Sequence, residues 1–284
     1  MVAWTFEAIG TQWRIDTDES LGPLGSDRVS ELIDRFDREW SRFRPDSLVS
    51  ALAEGARAVP LPRDADALFD TYAQLSAATG GAVNPLVGNA LAHRGYDPEM
   101  SLIDRGAEPA PDDWRRMLDW SGETLTVTEP AMIDIGAIGK GRLVDLVFEL
   151  VCEISSGTVV VDASGDLRSR GKTMRIGLEH PFDPGRAIGI VDLTDAALCA
   201  SAINRRAWGD GLHHVLDART GEPVRKIAAT WAIAHSAMRA DAIATALFFD
   251  GGPELAFEWD VQWVRMTTDG TVEWSPASKA ELFL

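Results

Sequence analysis

Two residues one helical turn apart, Asp241 and Thr245, have the side chains of a cation site. They lie in the segment RADAIAT, and residues four apart lie on the same face of a helix. Carboxylate and hydroxyl oxygens are ligands that suit a hard cation such as Mg²⁺. The alternative is that Asp241 only caps the helix and Thr245 has no role. The spacing alone leaves both interpretations open, and the helix cap is the simpler one.

A glycine-rich segment, DIGAIGKG at residues 134–141, could hold an anion. Its three glycines allow close approach of the backbone and expose amide N–H groups. Lys140 would add a positive charge. The segment matches neither the P-loop nor the Rossmann pattern. A tight turn between a strand and a helix is an equally good interpretation.

The segment HHVLDARTG begins with two adjacent histidines, His213 and His214. Neighbouring residues on a strand point to opposite faces, so at most one of them reaches a given site. Because no third ligand lies nearby, the zinc interpretation is weak. The alternative is one packed and one solvent-facing histidine. Loops at 43–47 and 79–88 and the strand exit VVVDASGD at 159–166 indicate no chemistry by themselves.

The charge balance limits the partners of the protein. The 284 residues carry 27 Lys and Arg against 44 Asp and Glu, a net charge of −17. This argues against binding to nucleic acid, which needs a basic face, and against adhesion to anionic membranes. An anionic ligand would therefore need local help from a metal ion, a helix N-terminus or a few placed cations.

The chain shows no sign of a membrane or secretory segment. No window approaches about 18 consecutive apolar residues, and the start lacks a basic region followed by an apolar one. Two cysteines, Cys152 and Cys199, are too few for a disulfide framework. We therefore expect a reducing compartment.

The hydrophobic pattern predicts clustered strands and few helices. It predicts a hairpin with its turn at Gly10-Thr11, a helix with Ser26 as N-cap, and a strand that ends at the glycine-rich turn. A type I′ turn is expected at Asp269-Gly270. The other predicted elements are helices at about 66–78 and 238–249, a short hairpin around 121–122 and strands near 158–162, 188–193 and 231–234. This pattern favours an α+β fold, and we expect one domain over residues 1–284.

The order of these motifs resembles the FAD:protein FMN transferases, the ApbE family. IDIGAIGKG is similar to the family's DLGGIAKG, HHVLDARTG to its HHIIDPRTG, and ADAIAT to its ADALAT. The resemblance runs from about Gly10 to the last hairpin. It implies an α+β fold that holds FAD and Mg²⁺. It also implies transfer of the FMN part of FAD to a Thr or Ser hydroxyl of an acceptor flavoprotein, with release of AMP.

The resemblance also implies roles for individual residues. His214 is the suspected catalytic base. The implied nucleotide contacts are Asp134 and Lys140. The implied metal ligands are Ala137, through its backbone carbonyl, Asp241 and Thr245. The residues implied to line the flavin are Ile9, Phe43, Asn84, Pro85, Leu86 and Val215.

This chain departs from the family pattern at several positions. Ile9 replaces a common Met and Phe43 a common Tyr, and both changes suit an apolar pocket. Ala163-Ser164 replaces a glycine pair, which affects the phosphate loop, and Ala218 replaces a proline.

Two other functions stay open: an Mg²⁺-dependent FAD pyrophosphatase, in which water replaces the acceptor hydroxyl, and a non-catalytic flavin-binding protein. No lipobox cysteine is present, so the resemblance implies a cytoplasmic member.

Overall fold

The structure is a computed structural model that describes residues 1–283 of the chain. Its helices are α1 (Gly22–Trp40), α2 (Leu48–Ala53), α3 (Ala65–Ala78), α4 (Gly88–His93), α5 (Trp114–Met117), α6 (Gly139–Ile154), α7 (Ala237–Ala246) and α8 (Gly252–Glu258). The first strands are β1 (Val2–Ala8), β2 (Thr11–Thr17), β3 (Ala58–Pro60), β4 (Leu118–Asp119), β5 (Thr124–Val127), β6 (Val159–Asp162), β7 (Asp166–Arg170), β8 (Met174–His180) and β9 (Asp183–Leu193). The remaining strands are β10 (Ala197–Ala202), β11 (Ala207–Trp208), β12 (Leu212–His213), β13 (Leu216–Asp217), β14 (Glu222–Pro223), β15 (Ile227–Ala234), β16 (Gln262–Thr267), β17 (Val272–Trp274) and β18 (Glu281–Leu282).

An eight-stranded sheet forms the centre of the molecule. Its strand order is β1-β2-β6-β7-β10-β15-β16-β17, and every neighbouring pair is antiparallel. A three-stranded sheet of order β18-β9-β8 packs against one face of it. Helices cover the other face. The α+β fold expected from the clustered strands is confirmed.

The two faces of the central sheet follow from the alternation of side chains along each strand. In β10, Ala197 and Cys199 pack with the helices, whereas Leu198 packs with the small sheet. In β15, Ala232 belongs to the helical side and Trp231 to the other side. Successive residues of a strand point to opposite faces, so each of these strands contributes to two cores.

Helices α6 and α7 approach each other closely at Gly141. A Cβ atom at this position would lie 2.6 Å from Cβ of Asp241 and would also collide with the carbonyl of Ala237. Only glycine avoids this clash. Glycine at residue 141 therefore lets the first turn of α6 reach the middle of α7.

Several predicted elements are confirmed, including the first hairpin, the helix at 66–78 and the hairpins around 121–122 and 269–270. The prediction of Ser26 as an N-cap is wrong. Helix α1 begins at Gly22, and the Ser26 hydroxyl donates to the carbonyls of Gly22 and Pro23 within the helix. Helix α7 ends at Ala246 rather than at residue 249.

Three further local predictions are wrong. No strand precedes the glycine-rich turn, since residues 128–135 form an irregular segment. Helix α6 already begins at Gly139, so Lys140 lies in its first turn rather than in a loop. At Asp269-Gly270 only the glycine has a positive φ, whereas a type I′ turn needs two such residues. The turn there is closed by the Gly270 N–H donating to the Thr267 carbonyl at 3.1 Å.

None of the helices within residues 1–283 combines the length and apolar character needed to cross a membrane.

The type I′ turn occurs instead in the first hairpin, one residue before its predicted place. Ala8 pairs with Thr11, and the two residues between them, Ile9 and Gly10, have φ values of 46° and 73°. A β-branched residue is strongly disfavoured at positive φ, whereas Asn tolerates it. Ile9 is therefore held in a strained conformation by the hairpin.

We expect Ile9→Asn to increase the free energy of unfolding by about 1 kcal/mol, because it relieves this strain. Urea denaturation of both proteins measures the difference. Gly10→Ala is the matched control and should lower stability, since it places a Cβ atom at positive φ. A less stable Ile9→Asn variant would show that packing of the isoleucine outweighs the backbone strain.

Candidate active site

A cavity of about 1010 Å³ collects most of the residues that the resemblance implied. It lies where the first hairpin turn, the loop after α1, the starts of α6 and β7, the middle of α7 and the segment after β12 meet. The implied residues that line it are Ile9, Phe43, Asn84, Asp134, Ala137, Lys140, His214, Val215, Asp241 and Thr245. Residues separated by more than 200 positions in the chain thus share one surface.

Pro85 and Leu86 do not belong to the cavity lining. Leu86 is buried in the core. The carbonyl of Pro85 accepts the N–H of Asp134 at 2.8 Å. Asn84 lines the cavity, but its side chain accepts the Leu86 N–H at 2.8 Å and donates to the Pro111 carbonyl at 2.7 Å. This segment therefore shapes the backbone around the cavity.

Ala137, Asp241 and Thr245 come together as three oxygen donors. The Thr245 hydroxyl donates to the Ala137 carbonyl at 3.2 Å. Asp241 lies in the middle of α7, whose N-cap is Ser236, so the interpretation of Asp241 as a cap of its own helix is wrong. Its Oδ2 instead accepts the N–H of Gly141 at 2.9 Å, in the first turn of α6. The positive end of α6 therefore stabilises this carboxylate.

The Asp241 carboxylate lacks a counterion of its own. Within residues 1–283 no salt bridge reaches it, although it is buried. Burial, followed by the charge of Asp166, raises the pKa of Asp241 well above its usual range. No group of three His, Cys, Asp or Glu side chains in this part of the chain could hold a metal. A carboxylate, a hydroxyl and a carbonyl nevertheless form an oxygen set that fits Mg²⁺, which commonly completes its shell with water or substrate oxygens.

Lys140 projects from the first turn of α6 toward the start of β7. Its Nζ lies 3.1 Å from Oδ2 of Asp166 and 3.3 Å from the Ala163 carbonyl. Burial lowers the pKa of Lys140, but the charges of Asp166 and Asp241 outweigh it and raise the pKa above its usual value. Lys140 is therefore an ammonium ion at neutral pH. No motif distinguishes Asp166 from the other residues of the strand exit at 159–166.

Asp134 forms an ion pair with Arg42, a partner that no sequence motif indicates. Nε of Arg42 lies 2.5 Å from Oδ2 of Asp134, and Oδ1 accepts the N–H of Gly136 at 2.7 Å. Arg42 also donates to the Tyr96 carbonyl at 2.7 Å, and its guanidinium lies 4.1 Å from the centre of the Phe43 ring. Both oxygens of Asp134 are thus already used within the protein.

Aromatic rings form one wall of the cavity. Tyr96 stacks on Trp208 with ring centres 5.5 Å apart, and Phe43 and Tyr96 meet edge to face with ring centres 5.3 Å apart. The guanidinium of Arg206 donates to the Tyr96 hydroxyl at 2.8 Å, which fixes the ring. Such a wall suits a flat, partly apolar ligand.

The two histidines have different surroundings. His213 is buried, and its Nε2 lies 2.9 Å from the Val224 carbonyl. His214 lines the cavity, and its Nδ1 is buried without a hydrogen-bond partner. Burial, and then the charge of Arg206, lowers the pKa of His214 to about 3. The His214 ring is therefore neutral at neutral pH.

The turn between β6 and β7 has a left-handed backbone at Ser164, although Ala163 and Ser164 replace the glycine pair there. Ser164 has a φ of 54°, and its hydroxyl donates to the Gln12 carbonyl at 2.8 Å. Ala163 is fully buried, while its carbonyl faces Lys140. The hydroxyl contact with Gln12 compensates part of the strain at Ser164.

The chain is similar to known proteins along most of its length. The chain is 27% identical to a FAD:protein FMN transferase of Rhodobacter capsulatus over 99% of its own length, and 26% identical to one of Haemophilus influenzae over 76%. It spans 58% and 66% of the lengths of these curated relatives. The crystal structure of the ApbE protein from Thermotoga maritima has the same fold. The two share a TM-score of 0.83 and 23% identity, with 97% of each chain covered. The model of the ApbE family matches residues 9–261, so this chain belongs to the ApbE family.

Proposed function

We propose that this protein transfers the FMN part of FAD to a Thr or Ser hydroxyl of an acceptor flavoprotein, with Mg²⁺ as cofactor and AMP as the second product. The observation that carries the proposal is the single cavity that joins an oxygen-donor set, an ammonium ion and a neutral histidine. Relatives along most of the chain are named FAD:protein FMN transferase. We further propose that residues 1–284 act as one domain.

The Ala137 carbonyl, Asp241 and Thr245 would hold the Mg²⁺ ion. When bound, such an ion neutralises the charge on a pyrophosphate and polarises it. Asp241 supplies the formal charge of this donor set, and its position next to the first turn of α6 keeps the carboxylate directed at the cavity. A protein with a net charge of −17 needs such compensation to bind a dianionic ligand.

The remaining cavity residues would orient the nucleotide. The ammonium of Lys140, which lies 3.3 Å from the Ala163 carbonyl, would bind pyrophosphate oxygens. The aromatic wall of Phe43, Tyr96 and Trp208 would contact the flavin ring. Asp134, whose carboxylate is occupied by Arg42, would contact the nucleotide through this pair rather than as a free anion.

His214 would take the proton of the acceptor hydroxyl. The hydroxyl oxygen forms a bond with the phosphorus atom on the flavin side. The bond from this phosphorus to the bridging oxygen breaks, and AMP leaves. Because Nδ1 of His214 is enclosed, Nε2 is the ring nitrogen that would accept the proton. Placement and charge compensation, more than covalent catalysis, drive phosphoryl-type transfer.

Mass spectrometry tests this proposal. The protein is incubated with FAD, Mg²⁺ and a panel of candidate flavoprotein domains that contain Thr or Ser acceptor sites. The expected result is an added FMN mass on one Thr or Ser of an acceptor, with AMP in equal amount. Free FMN and AMP without any adduct would overturn the transferase in favour of a pyrophosphatase. Intact FAD throughout would favour a non-catalytic flavin-binding protein.

Asp241→Asn should weaken Mg²⁺ binding and remove most of the Mg²⁺-stimulated rate of flavin transfer. The amide oxygen of Asn can still accept the Gly141 N–H, so the variant removes the charge and keeps the contact between α6 and α7. Loss of a buried charge without a counterion should also leave thermal stability unchanged or higher. The measurement is the transfer rate against Mg²⁺ concentration for both proteins.

Thr245→Val is the matched variant on the same face of α7. Its effect should be smaller, because water can replace a hydroxyl ligand. Overlapping Mg²⁺ curves for wild type and Asp241→Asn would remove Asp241 from the metal site.

His214→Ala should slow transfer by about 10²–10⁴-fold and leave FAD affinity nearly unchanged, as expected for loss of a general base. Protonation inactivates a base, so its rate falls below its pKa. With the pKa of His214 near 3, transfer should show no inflection from this residue between pH 5 and 8. Rates measured across that range check both points. An inflection near pH 6.5 in the wild type that disappears in His214→Ala would contradict the neutral, buried state of the ring.

A further inference from the structure

We infer that Asp166 is a positioning residue that holds the ammonium of Lys140 toward the cavity and thereby sets the affinity for the pyrophosphate part of FAD. This inference rests on the proposed function, because it assigns a task to a residue next to the proposed nucleotide site. Asp166 itself is 1% exposed and would act through Lys140.

Asp166 lacks the hydrogen bonds that a buried structural carboxylate needs. Neither of its side-chain oxygens accepts a hydrogen bond, and its one ion pair is with Lys140. Asp145 provides the contrast. It is equally buried, but its oxygens accept the N–H groups of Ala237 and Met238 and a bond from Arg168. A buried carboxylate without hydrogen bonds is unfavourable unless it is paired with a cation. The buried carboxylate of Asp166 therefore depends on the positive charge of Lys140 for its compensation.

The same contact limits where the Lys140 side chain can go. A lysine side chain is flexible, and its ammonium group has three hydrogens to donate. Asp166 and the Ala163 carbonyl hold Nζ from the side of β6 and β7, at 3.1 and 3.3 Å. The side chain remains 26% exposed and lines the cavity. The Ala163 carbonyl accepts one of its hydrogen bonds, so the ammonium keeps donors for an anionic ligand.

Asp166 also determines which carboxylate Lys140 pairs with. The charges of both Asp166 and Asp241 act on the ammonium, but the ion pair is formed with Asp166 alone. If Asp166 were neutral, the Lys140 ammonium would be drawn toward Asp241. That movement would withdraw the cation from the ligand and occupy the carboxylate of the proposed metal site.

Ligand titrations of Asp166→Asn test the inference without relying on activity. FAD and riboflavin are titrated by flavin fluorescence in the absence of Mg²⁺, after thermal unfolding has confirmed a folded variant. We expect the affinity for FAD to fall about tenfold, the loss of one charge-assisted contact. Riboflavin has no pyrophosphate, so its affinity should not change. Lys140→Met should show the same selective loss, and the double variant should lose no more than either single one.

Asp64→Asn is the control. Asp64 pairs with Arg142, which also lies in the first turn of α6, but neither residue lines the cavity. This variant should bind FAD and riboflavin as the wild type does. If Asp166→Asn fails to fold, Lys140→Arg provides the test, because it keeps the positive charge but moves it, and should weaken FAD alone.

Two results would overturn the inference. Unchanged FAD affinity in Asp166→Asn, or in Lys140→Arg where that variant is used, would show that the placement of the ammonium does not matter. An equal loss for FAD and riboflavin would show a purely structural role. In both cases the wild type still binds FAD, so the proposed function stands. If the wild type binds no FAD, the proposed function fails and the inference fails with it.

Discussion

Two buried carboxylates lie near one ammonium ion where α6, α7 and β7 meet, and only one of them forms an ion pair with it. Lys140 pairs with Asp166, which leaves Asp241 without a counterion. In a medium of low polarity an unpaired carboxylate is costly, and it attracts a cation. The oxygens of Thr245 and Ala137 lie next to it in the cavity. Under the proposed function, this excess negative charge would attract a divalent ion, and the ion would in turn offset the charge of an anionic nucleotide.

The fold supplies the close contacts that this charge arrangement needs. Gly141 lets the first turn of α6 reach α7, so that its backbone N–H meets Asp241. The central sheet brings the start of β7 beneath Lys140. Elsewhere in the lining, Arg42 pairs with Asp134, and its guanidinium lies over the Phe43 ring. Asp134, Lys140 and Asp241 are thus each held by contacts between different elements of the fold.

Features set by residues close together in the chain, such as the shared helix face of Asp241 and Thr245, could be predicted from the sequence. The spacing of Asp241 and Thr245 and the α+β class follow from periodicity, and both agree with the structure. Partners of the charged side chains did not follow, because Arg42 and Asp134 are 92 residues apart. No pattern along the chain shows that Asp166 faces Lys140 without a hydrogen bond. The turn at Ile9 was also misplaced, since propensity argues against isoleucine at positive φ and only the pairing of the strands imposes it.

The linkage between FAD and Mg²⁺ tests the central claim most directly. Calorimetric titration gives the FAD affinity of the wild type with saturating Mg²⁺ and with a chelator. If excess carboxylate charge controls the cavity, Mg²⁺ should tighten FAD binding by at least about tenfold, a coupling of roughly 1.4 kcal/mol. FAD must then tighten Mg²⁺ binding by the same factor, because coupling between two binding sites is reciprocal. Equal FAD affinity with and without Mg²⁺ would contradict the account, since the cavity would then bind the dianion without charge compensation.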